Sequence, residues 1–184
     1  MALSVENHDT PAAPLTVVVM GVSGVGKTTL ARLLADRLGL PFAEADDFHP
    51  PANIAKMSAG TPLDDRDRAP WLRAVGAWLK ERTEAGTGGV VTCSALKHGY
   101  RDTLREACPD AWFLHLSGGH ELVGDRLAHR TGHFMPTSLL DSQYAALEPL
   151  GPDERGAALD VGPSPEDLVE KAVALLRPVN GDLA

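Results

Sequence analysis

The sequence predicts a three-layer α/β/α domain, in which helices cover both faces of a five-stranded parallel sheet. Short apolar, β-branched runs alternate along the chain with segments whose apolar residues recur at helical spacing. Parallel strands need long crossover connections, and the helical segments supply them. The length of 184 residues suits one domain. We expect this domain over residues 15–178, with a flexible N-terminal tail at 1–14 and a C-terminal tail at 179–184.

The first three predicted elements form a strand–helix–strand unit. Residues 15–20 (LTVVVM) are a continuous apolar run, as expected for a strand that is covered on both faces. Leucines recur with helical period over 27–38, and Gly39 follows where helices are commonly capped. A short second strand is predicted at 41–45. This unit supplies the first crossover of a parallel sheet.

The middle of the chain contains a short helix, a long helix and the third strand. The short helix is predicted at 53–59. Apolar residues from 71 to 79 have helical spacing and mark the long helix, which Asp64 or Asp65 is available to cap. A buried strand at 90–94 follows a pair of glycines.

The last part of the chain continues the alternation of helices and strands. The remaining elements are predicted as helices at 100–107, 121–130, 138–147 and 165–176, and as strands at 111–116 and 157–161. Ser164 can cap the closing helix. The total is five strands, without a linker long enough to divide the chain.

Composition narrows the range of partners. The formal net charge of −8 repels nucleic-acid phosphates and anionic lipid headgroups. No apolar stretch is long enough to span a bilayer, and the first residues do not have the pattern of a signal peptide. The two cysteines lack metal or redox spacing and suit a reducing compartment. We therefore expect a cytoplasmic protein with no nucleic-acid partner and no membrane partner.

The most specific motif is GVSGVGKT, which matches G-x-x-x-x-G-K-[ST] between a predicted strand and a predicted helix. The backbone amides of such a loop and the helix N-terminus bind phosphate oxygens. Lys27 is predicted to reach the β- and γ-phosphates of ATP, and Thr28 to supply a hydroxyl group to Mg²⁺. The residues predicted to bind the nucleotide are Gly21, Val22, Ser23, Gly24, Val25, Gly26, Lys27, Thr28 and Thr29.

A phosphate loop alone does not distinguish kinases from GTPases, motor ATPases or nucleotide switches. The guanine-reading NKxD motif does not occur, and the DxxG match at 153–156 lies in a Pro/Gly-rich loop without a preceding strand. No long apolar run ends in Asp-Glu. The sequence therefore favours an enzyme that transfers the γ-phosphoryl group to a small acceptor. A non-catalytic nucleotide-binding switch is the alternative.

An acidic segment follows the second predicted strand, at the sheet edge where the phosphate loop also lies. Phosphoryl transfer needs a carboxylate that orients the attacking hydroxyl group or holds Mg²⁺. We assign Asp46 to catalysis and to the metal, with Asp47 as the nearer competitor. The alternative is that these acids only cap the next turn. His49 could bind a polyol hydroxyl group or a carboxylate, or serve a structural role.

Three segments resemble the bacterial gluconokinases: DDFHPPANIAKMSAGTPLDDRDRAPWL, TCSALKHGYRDTLR and RLAHRTGHFMPTSLLDSQYAALEPL. The resemblance covers about 15–161. Gluconokinases are small P-loop kinases related to shikimate kinase, with the nucleoside-monophosphate-kinase scaffold and a mobile lid. The resemblance implies a homodimer that transfers the ATP γ-phosphate to the 6-hydroxyl of D-gluconate, with Mg²⁺ as cofactor. Shikimate or another small hydroxy acid is the alternative acceptor.

One position departs from the family pattern. The family often has Asp-Gly-Asp at the end of the second strand, whereas this chain has Glu44-Ala45-Asp46. The second acid is kept, so the resemblance leaves the assignment of Asp46 unchanged. The role of Glu44 stays open.

The third segment resembles the lid of these kinases, which we predict at about 126–137. A closing lid excludes water and brings arginine to the transferring phosphoryl group. Arg126 and Arg130 lie one helical turn apart, so both can face the nucleotide, and we predict that both are catalytic. The alternative is that they are solvated arginines at a helix end. His133, in the same segment, is a candidate substrate ligand.

Gluconate carries one carboxylate and a row of hydroxyl groups, which call for cationic and polar partners. The resemblance to shikimate kinase implies that an arginine before the long helix and groups after the third strand hold the acceptor. The further candidates for substrate binding are Arg68, Lys97 and Arg101, followed by His49 and Lys56. Each could instead be a surface charge paired with a nearby aspartate, although exposed pairs contribute only about 0–1 kcal/mol.

Overall fold

A computed structural model describes residues 13–130 and 137–180 of the chain. Within these ranges, five strands form one sheet in the order β2-β3-β1-β4-β5, and every neighbouring pair is parallel. The strands are β1 Thr16–Met20, β2 Phe42–Glu44, β3 Gly89–Thr92, β4 Trp112–Ser117 and β5 Gly156–Asp160. Helices pack on both faces of the sheet. The predicted α/β/α fold class is therefore confirmed.

The helices connect the strands in the predicted order. They are α1 Lys27–Leu38, α2 Pro51–Ser58, α3 Asp65–Glu84, α4 His98–Ala107, α5 His120–Ala128, α6 Thr137–Ala146 and α7 Pro165–Asn180, with a 3₁₀ turn at Ala45–Phe48. Helix α7 crosses the predicted domain boundary at residue 178. Residues 1–12 and 181–184 of the predicted tails lie outside the described ranges. Among the described helices, none combines the length and the apolar character that crossing a membrane requires.

Helix ends follow local capping rules. Gly39 ends α1 with a φ of 66°, in the left-handed region that favours glycine. Asp64 caps α3, because its side chain accepts the Asp67 amide at 2.8 Å while the Asp67 side chain accepts the Asp64 amide at 3.0 Å. At α7, Ser164 Oγ accepts the Asp167 amide at 3.3 Å. The predicted caps of these three helices are confirmed.

Strand β1 lies at the centre of the sheet and all five of its residues are buried. Val17 and Val19 pack into the core cluster that includes residues of α1 and α7. Val18 and Met20 pack on the other face, in the cluster that includes residues of α3 and α4. Because side chains alternate along a strand, a strand between two helical layers must be apolar on both faces. This explains the uninterrupted run TVVVM.

The strand order determines where polar residues can meet. Strand β3 lies between β1 and β2, so the carboxyl ends of these three strands are neighbours. The phosphate loop follows β1, the acidic segment follows β2, and the chain from Cys93 to Lys97 follows β3. Open α/β sheets bind ligands at this edge.

Candidate active site

The phosphate loop, residues 21–26, joins β1 to α1. Gly24 and Gly26 have φ angles of 81° and 104°, which residues with a Cβ rarely adopt. A Cβ on Gly24 would also lie 2.5 Å from Cγ of Leu127, so α5 packs directly against the loop. Gly26 provides no side-chain cap for α1. The first amides of that helix are therefore available to an anion.

Lys27 is held beneath the loop. Its Nζ donates hydrogen bonds to the carbonyl oxygens of Gly21 and Val22, both at 3.0 Å. Burial lowers the pKa of Lys27 from 10.5 to about 8, and the negative charge of Asp46 is among the groups that oppose this shift. The site therefore contains a poorly solvated ammonium group, for which phosphate oxygens are a suitable partner.

The loop forms one wall of a central cavity of about 880 Å³. The carboxyl ends of β2 and β3 form the facing wall, and residues of α5 and α6 contribute to the lining. The predicted site residues that line this cavity are Ser23, Gly24, Gly26, Lys27, Thr28, Asp46 and Arg130. The structure thus brings the predicted phosphate ligands and the predicted catalytic carboxylate together.

The acidic segment presents its carboxylates from the 3₁₀ turn. Trp71 Nε1 donates to the Ala45 carbonyl oxygen at 2.6 Å, and this bond fixes the turn to α3. Asp46 and its competitor Asp47 both line the central cavity. The Asp46 side chain is 89% exposed, so its oxygens are available to a ligand. Glu44 accepts a hydrogen bond from Thr92 Oγ1 at 2.6 Å and is less available.

Gln143 and Cys93 also line this cavity, although the sequence patterns assign neither to the site. Gln143, on α6, forms hydrogen bonds with Ser23 of the phosphate loop from 120 positions away. Cys93 lies at the end of β3, and burial raises the pKa of its thiol to about 12. A thiol with that pKa is protonated near neutral pH and is a poor nucleophile. Neither position in the cavity follows from local sequence patterns, because both depend on how distant elements pack.

His49 and Lys56 have partners of their own. The His49 ring stacks on Trp71 at 4.4 Å, and its Nε2 lies 4.0 Å from Asp46 Oδ1. Burial lowers the pKa of His49, with Asp46 opposing the shift and Arg68 adding to it, so a neutral imidazole is favoured. Lys56 Nζ contacts Asp67 at 2.8 Å and lines none of the cavities described in this section. The aspartate pairing considered for Lys56 is therefore present.

Arg68 and Lys97 line a second, outer cavity of about 550 Å³ at the start of α3. Arg68 Nη1 donates to the Leu63 carbonyl oxygen at 2.6 Å, and its guanidinium lies 5.7 Å from the centre of the Tyr100 ring. Lys97 Nζ lies 3.3 Å from Asp65 Oδ1. The positive charge of Arg68 also helps to lower the pKa of His49.

Arg101 requires a correction, because the structure does not bring it to either cavity. Its side chain is fully buried, and it forms an ion pair with the equally buried Glu154, with Nε and Oε1 at 2.6 Å. Its Nη1 also donates to the carbonyl oxygen of Ala95, a non-glycine residue with a φ of 44°. A guanidinium enclosed in this way cannot contact a substrate without rearrangement. Arg101 instead holds the strained connection between β3 and α4.

Residues around this ion pair bring atoms of the kind that bind metals close together, but arginines pair with the carboxylates among them. His98, Asp153 and Glu154 have ligand-type atoms within 4.8 Å of one another. Arg101 and Arg105 both contact Glu154, and Arg105 also contacts Asp153. Burial alone would raise the pKa of Glu154, but hydrogen bonds from Arg101 and an amide outweigh it and lower that pKa. Two guanidinium groups already provide positive charge beside these carboxylates.

The predicted lid arginines lie beside a third, side cavity of about 310 Å³ between the phosphate loop and the start of α7. Arg126 Nη2 donates to the Val161 carbonyl oxygen at 2.7 Å, and the residue lines the side cavity. Arg130 lines both the side cavity and the central cavity. Of the two, Arg130 is therefore the one placed toward Asp46. His133 and the rest of 131–136 lie outside the described residues.

Comparisons with known proteins identify the family of this chain. The family model for shikimate kinase matches residues 23–144. A gluconokinase of Gluconobacter oxydans (strain 621H) is 50% identical over 160 residues, which are 87% of this chain and 90% of that protein.

Two solved structures are also similar. A gluconokinase from Sinorhizobium meliloti 1021 has a TM-score of 0.81 and 45% identity, covering 92% of this chain and 95% of the other. A sugar kinase from Janibacter sp. HTCC2649 has a TM-score of 0.84 and 54% identity, covering 91% and 96%. The chain belongs to the gluconokinase family, within the wider shikimate kinase family of phosphate-loop kinases.

Proposed function

We propose that this protein transfers the γ-phosphoryl group of ATP to the 6-hydroxyl of D-gluconate, giving 6-phospho-D-gluconate and ADP. The observation that carries this proposal is the single central cavity that holds the phosphate loop, Lys27 and Asp46. Its support from relatives is the gluconokinase of 50% identity that matches most of the chain.

The nucleotide is placed by the phosphate loop. The open amides at the start of α1 and the ammonium group of Lys27 would hold the β- and γ-phosphates in the central cavity. The side cavity, lined by Thr29, Leu168 and two prolines, would take the nucleoside. Arg130 lies between the two cavities, where a phosphate chain passing from one to the other would meet a guanidinium group.

The residues present suit Mg²⁺. Thr28 and Asp46 line the same cavity and offer a hydroxyl oxygen and carboxylate oxygens, the hard ligands that this ion prefers. When bound, Mg²⁺ would neutralise charge on the β- and γ-phosphates. Because magnesium keeps several waters in such sites, two protein ligands are a sufficient set.

The acceptor would lie toward α3. Arg68 and Lys97 provide positive charge for the gluconate carboxylate at the outer cavity. His49 lies 4.0 Å from Asp46, but its side chain is only 6% exposed and lines none of the three cavities, so it is not among the proposed acceptor ligands. With its carboxylate at the outer cavity, the acceptor would extend toward the central cavity and present its 6-hydroxyl to Asp46.

The reaction then needs few groups. The 6-hydroxyl oxygen forms a bond to the γ-phosphorus while the bond from that phosphorus to the bridging oxygen of ADP breaks. Asp46 orients the hydroxyl group and accepts its proton. Lys27 and Arg130 stabilise the negative charge that develops on the phosphoryl and leaving oxygens.

An acceptor panel tests the proposal. Radiolabelled phosphate transfer from ATP should occur to gluconate and be much weaker to shikimate and to other sugar acids. Asp46→Asn should lower kcat with gluconate by about 10²–10⁴-fold, because proton transfer of this kind contributes that much. ATP affinity should be largely kept. Asp47→Asn is the matched control and should retain most of the activity. Inert gluconate, with turnover of another acid, would contradict the proposed substrate.

Three further predictions accompany this function. The homodimer is implied by the resemblance. The cytoplasmic location agrees with two buried, unpaired cysteines in the described residues. We expect no nucleic-acid or membrane partner, because a net charge of −8 repels phosphate backbones and anionic lipid headgroups.

A further inference from the structure

Gln143 reaches from α6 to the phosphate loop and holds Ser23 by two hydrogen bonds. Its Oε1 accepts the Ser23 amide at 2.7 Å, and its Nε2 donates to Ser23 Oγ at 3.0 Å. A backbone N–H can only donate, so this bond defines which end of the Gln143 amide faces which atom. Both residues line the central cavity. The contact therefore belongs to the site and not to its periphery.

Helix α6 gives the Gln143 side chain a fixed base. Leu140, one turn earlier, is buried in the core. Tyr144, the next residue, donates a hydrogen bond to the Gly118 carbonyl oxygen at 2.8 Å. These contacts anchor the helix on both sides of Gln143. A partner anchored in this way can orient the Ser23 side chain at little further cost in conformational entropy.

The two hydrogen bonds determine where the Ser23 hydroxyl hydrogen can go. Because Ser23 Oγ accepts from Gln143, its own hydrogen is left to be donated elsewhere. Ser23 lines the central cavity together with Lys27 and Asp46, whereas Thr29 lines the side cavity. The part of the loop that carries Ser23 therefore faces the acceptor end of the site. In a bound nucleotide, that end is occupied by the terminal phosphate.

We propose that Gln143 is a positioning residue, which orients Ser23 so that the Ser23 hydroxyl donates a hydrogen bond to the γ-phosphate of ATP. The inference rests on the proposed function for the direction of the phosphate chain, from the side cavity to the central cavity. Its characteristic consequence is selectivity. The contact exists with ATP and is lost with ADP, which has no γ-phosphate.

Gln143→Glu keeps nearly the same shape but adds a negative charge. The carboxylate can still accept the Ser23 amide, but it has no N–H to donate to Ser23 Oγ. It would instead accept the Ser23 hydroxyl hydrogen and withdraw it from the phosphate. Gln143→Met removes both hydrogen bonds at similar volume and adds no charge. Ser142→Met, at the exposed neighbouring position, is the matched control.

Calorimetric titration with a non-hydrolysable ATP analogue and with ADP separates the possibilities. Gln143→Met should bind the analogue about tenfold more weakly than the Ser142→Met control, as expected for loss of one hydrogen bond to a charged group. Gln143→Glu should bind it at least as weakly, because its negative charge also repels the phosphates. Affinity for ADP should change by less than about twofold with Gln143→Met. Ser23→Ala should show the same selective loss, and adding Gln143→Met to it should cost little more, because both changes remove one contact.

If Gln143→Met lost affinity equally for the analogue and for ADP, the proposal would be overturned, since a purely structural contact does not distinguish the two nucleotides. Affinities of Gln143→Met that match those of Ser142→Met would overturn it as well. The titrations need no acceptor. They therefore decide the role of Gln143 even if gluconate proves inert, an outcome that would contradict the proposed function instead. Melting temperatures close to the control confirm that each variant is folded.

Discussion

In the proposed function, the nucleotide side and the acceptor side of the active site differ in the kind of chemical group that lines them. On the nucleotide side, backbone carbonyl groups hold Lys27 and the helix amides face the cavity, while α5 packs against Gly24. On the acceptor side, Arg68, Lys97 and Asp65 are side chains around an open cavity, where Lys97 pairs with Asp65 and Arg68 donates to the Leu63 carbonyl oxygen. One side relies mainly on backbone groups, and the other on charged side chains.

The difference follows from the ligands. Phosphate groups are alike in every nucleotide, so backbone amides and one lysine are sufficient to bind them. Acceptors differ between related kinases, and side chains are the part of a fold that can change to suit them. Behind the acceptor side lies a buried support, the Arg101–Glu154 ion pair, which holds the connection after β3. In the proposed function, recognition on this side would depend on exposed groups whose backbone this buried pair helps to hold.

The largest expected effect comes from a substitution on the nucleotide side. Lys27→Met should lower kcat by at least about 10³-fold, because it removes a preorganised charge from the phosphoryl group. Its melting temperature should not fall, since burial of the Lys27 charge is unfavourable in the free protein. Transfer assays and thermal unfolding measure the two effects. Lys80→Met, at an exposed position on α3, is the control, and a variant of Lys27 with near-normal kcat would refute the role.

A second experiment removes the support of the acceptor side. Arg101→Met should lower the free energy of unfolding by about 3–5 kcal/mol, because it leaves the Glu154 carboxylate buried without its partner. Arg155→Met breaks the exposed pair with Asp110 and should cost only about 0–1 kcal/mol. Denaturant unfolding compares them. Similar costs for the two variants would show that the buried pair contributes no more than a surface pair.

The smallest expected effect sharpens the distinction between the two sides. Arg68→Met should raise the KM for gluconate about tenfold, as expected for loss of one charge-assisted hydrogen bond, and leave the KM for ATP unchanged. Steady-state kinetics with each substrate varied in turn provides the test. Arg73→Met, at an exposed position on the same helix, is the control. A parallel rise in both KM values would argue against a role confined to the acceptor.

Sequence reasoning succeeded where the information is local. The alternation of apolar runs and helical segments predicted the parallel sheet, and five residues of one contiguous motif line the central cavity. It failed for Arg101, because its position after β3 is correct but the orientation of α4 directs its side chain into the protein. Gln143 was missed for a related reason. Its partner is 120 residues away, and no local pattern marks a contact of that kind.

The buried ammonium group of Lys27 also couples nucleotide binding to protons. With a pKa of about 8, Lys27 is partly deprotonated in the free protein at mildly alkaline pH. The negative charge of an incoming phosphate chain raises that pKa, so binding must take up a proton from solvent there. By linkage, nucleotide affinity falls as pH rises through about 8, while at lower pH the proton is already in place. We therefore expect nucleotide binding beside Lys27 to weaken at alkaline pH.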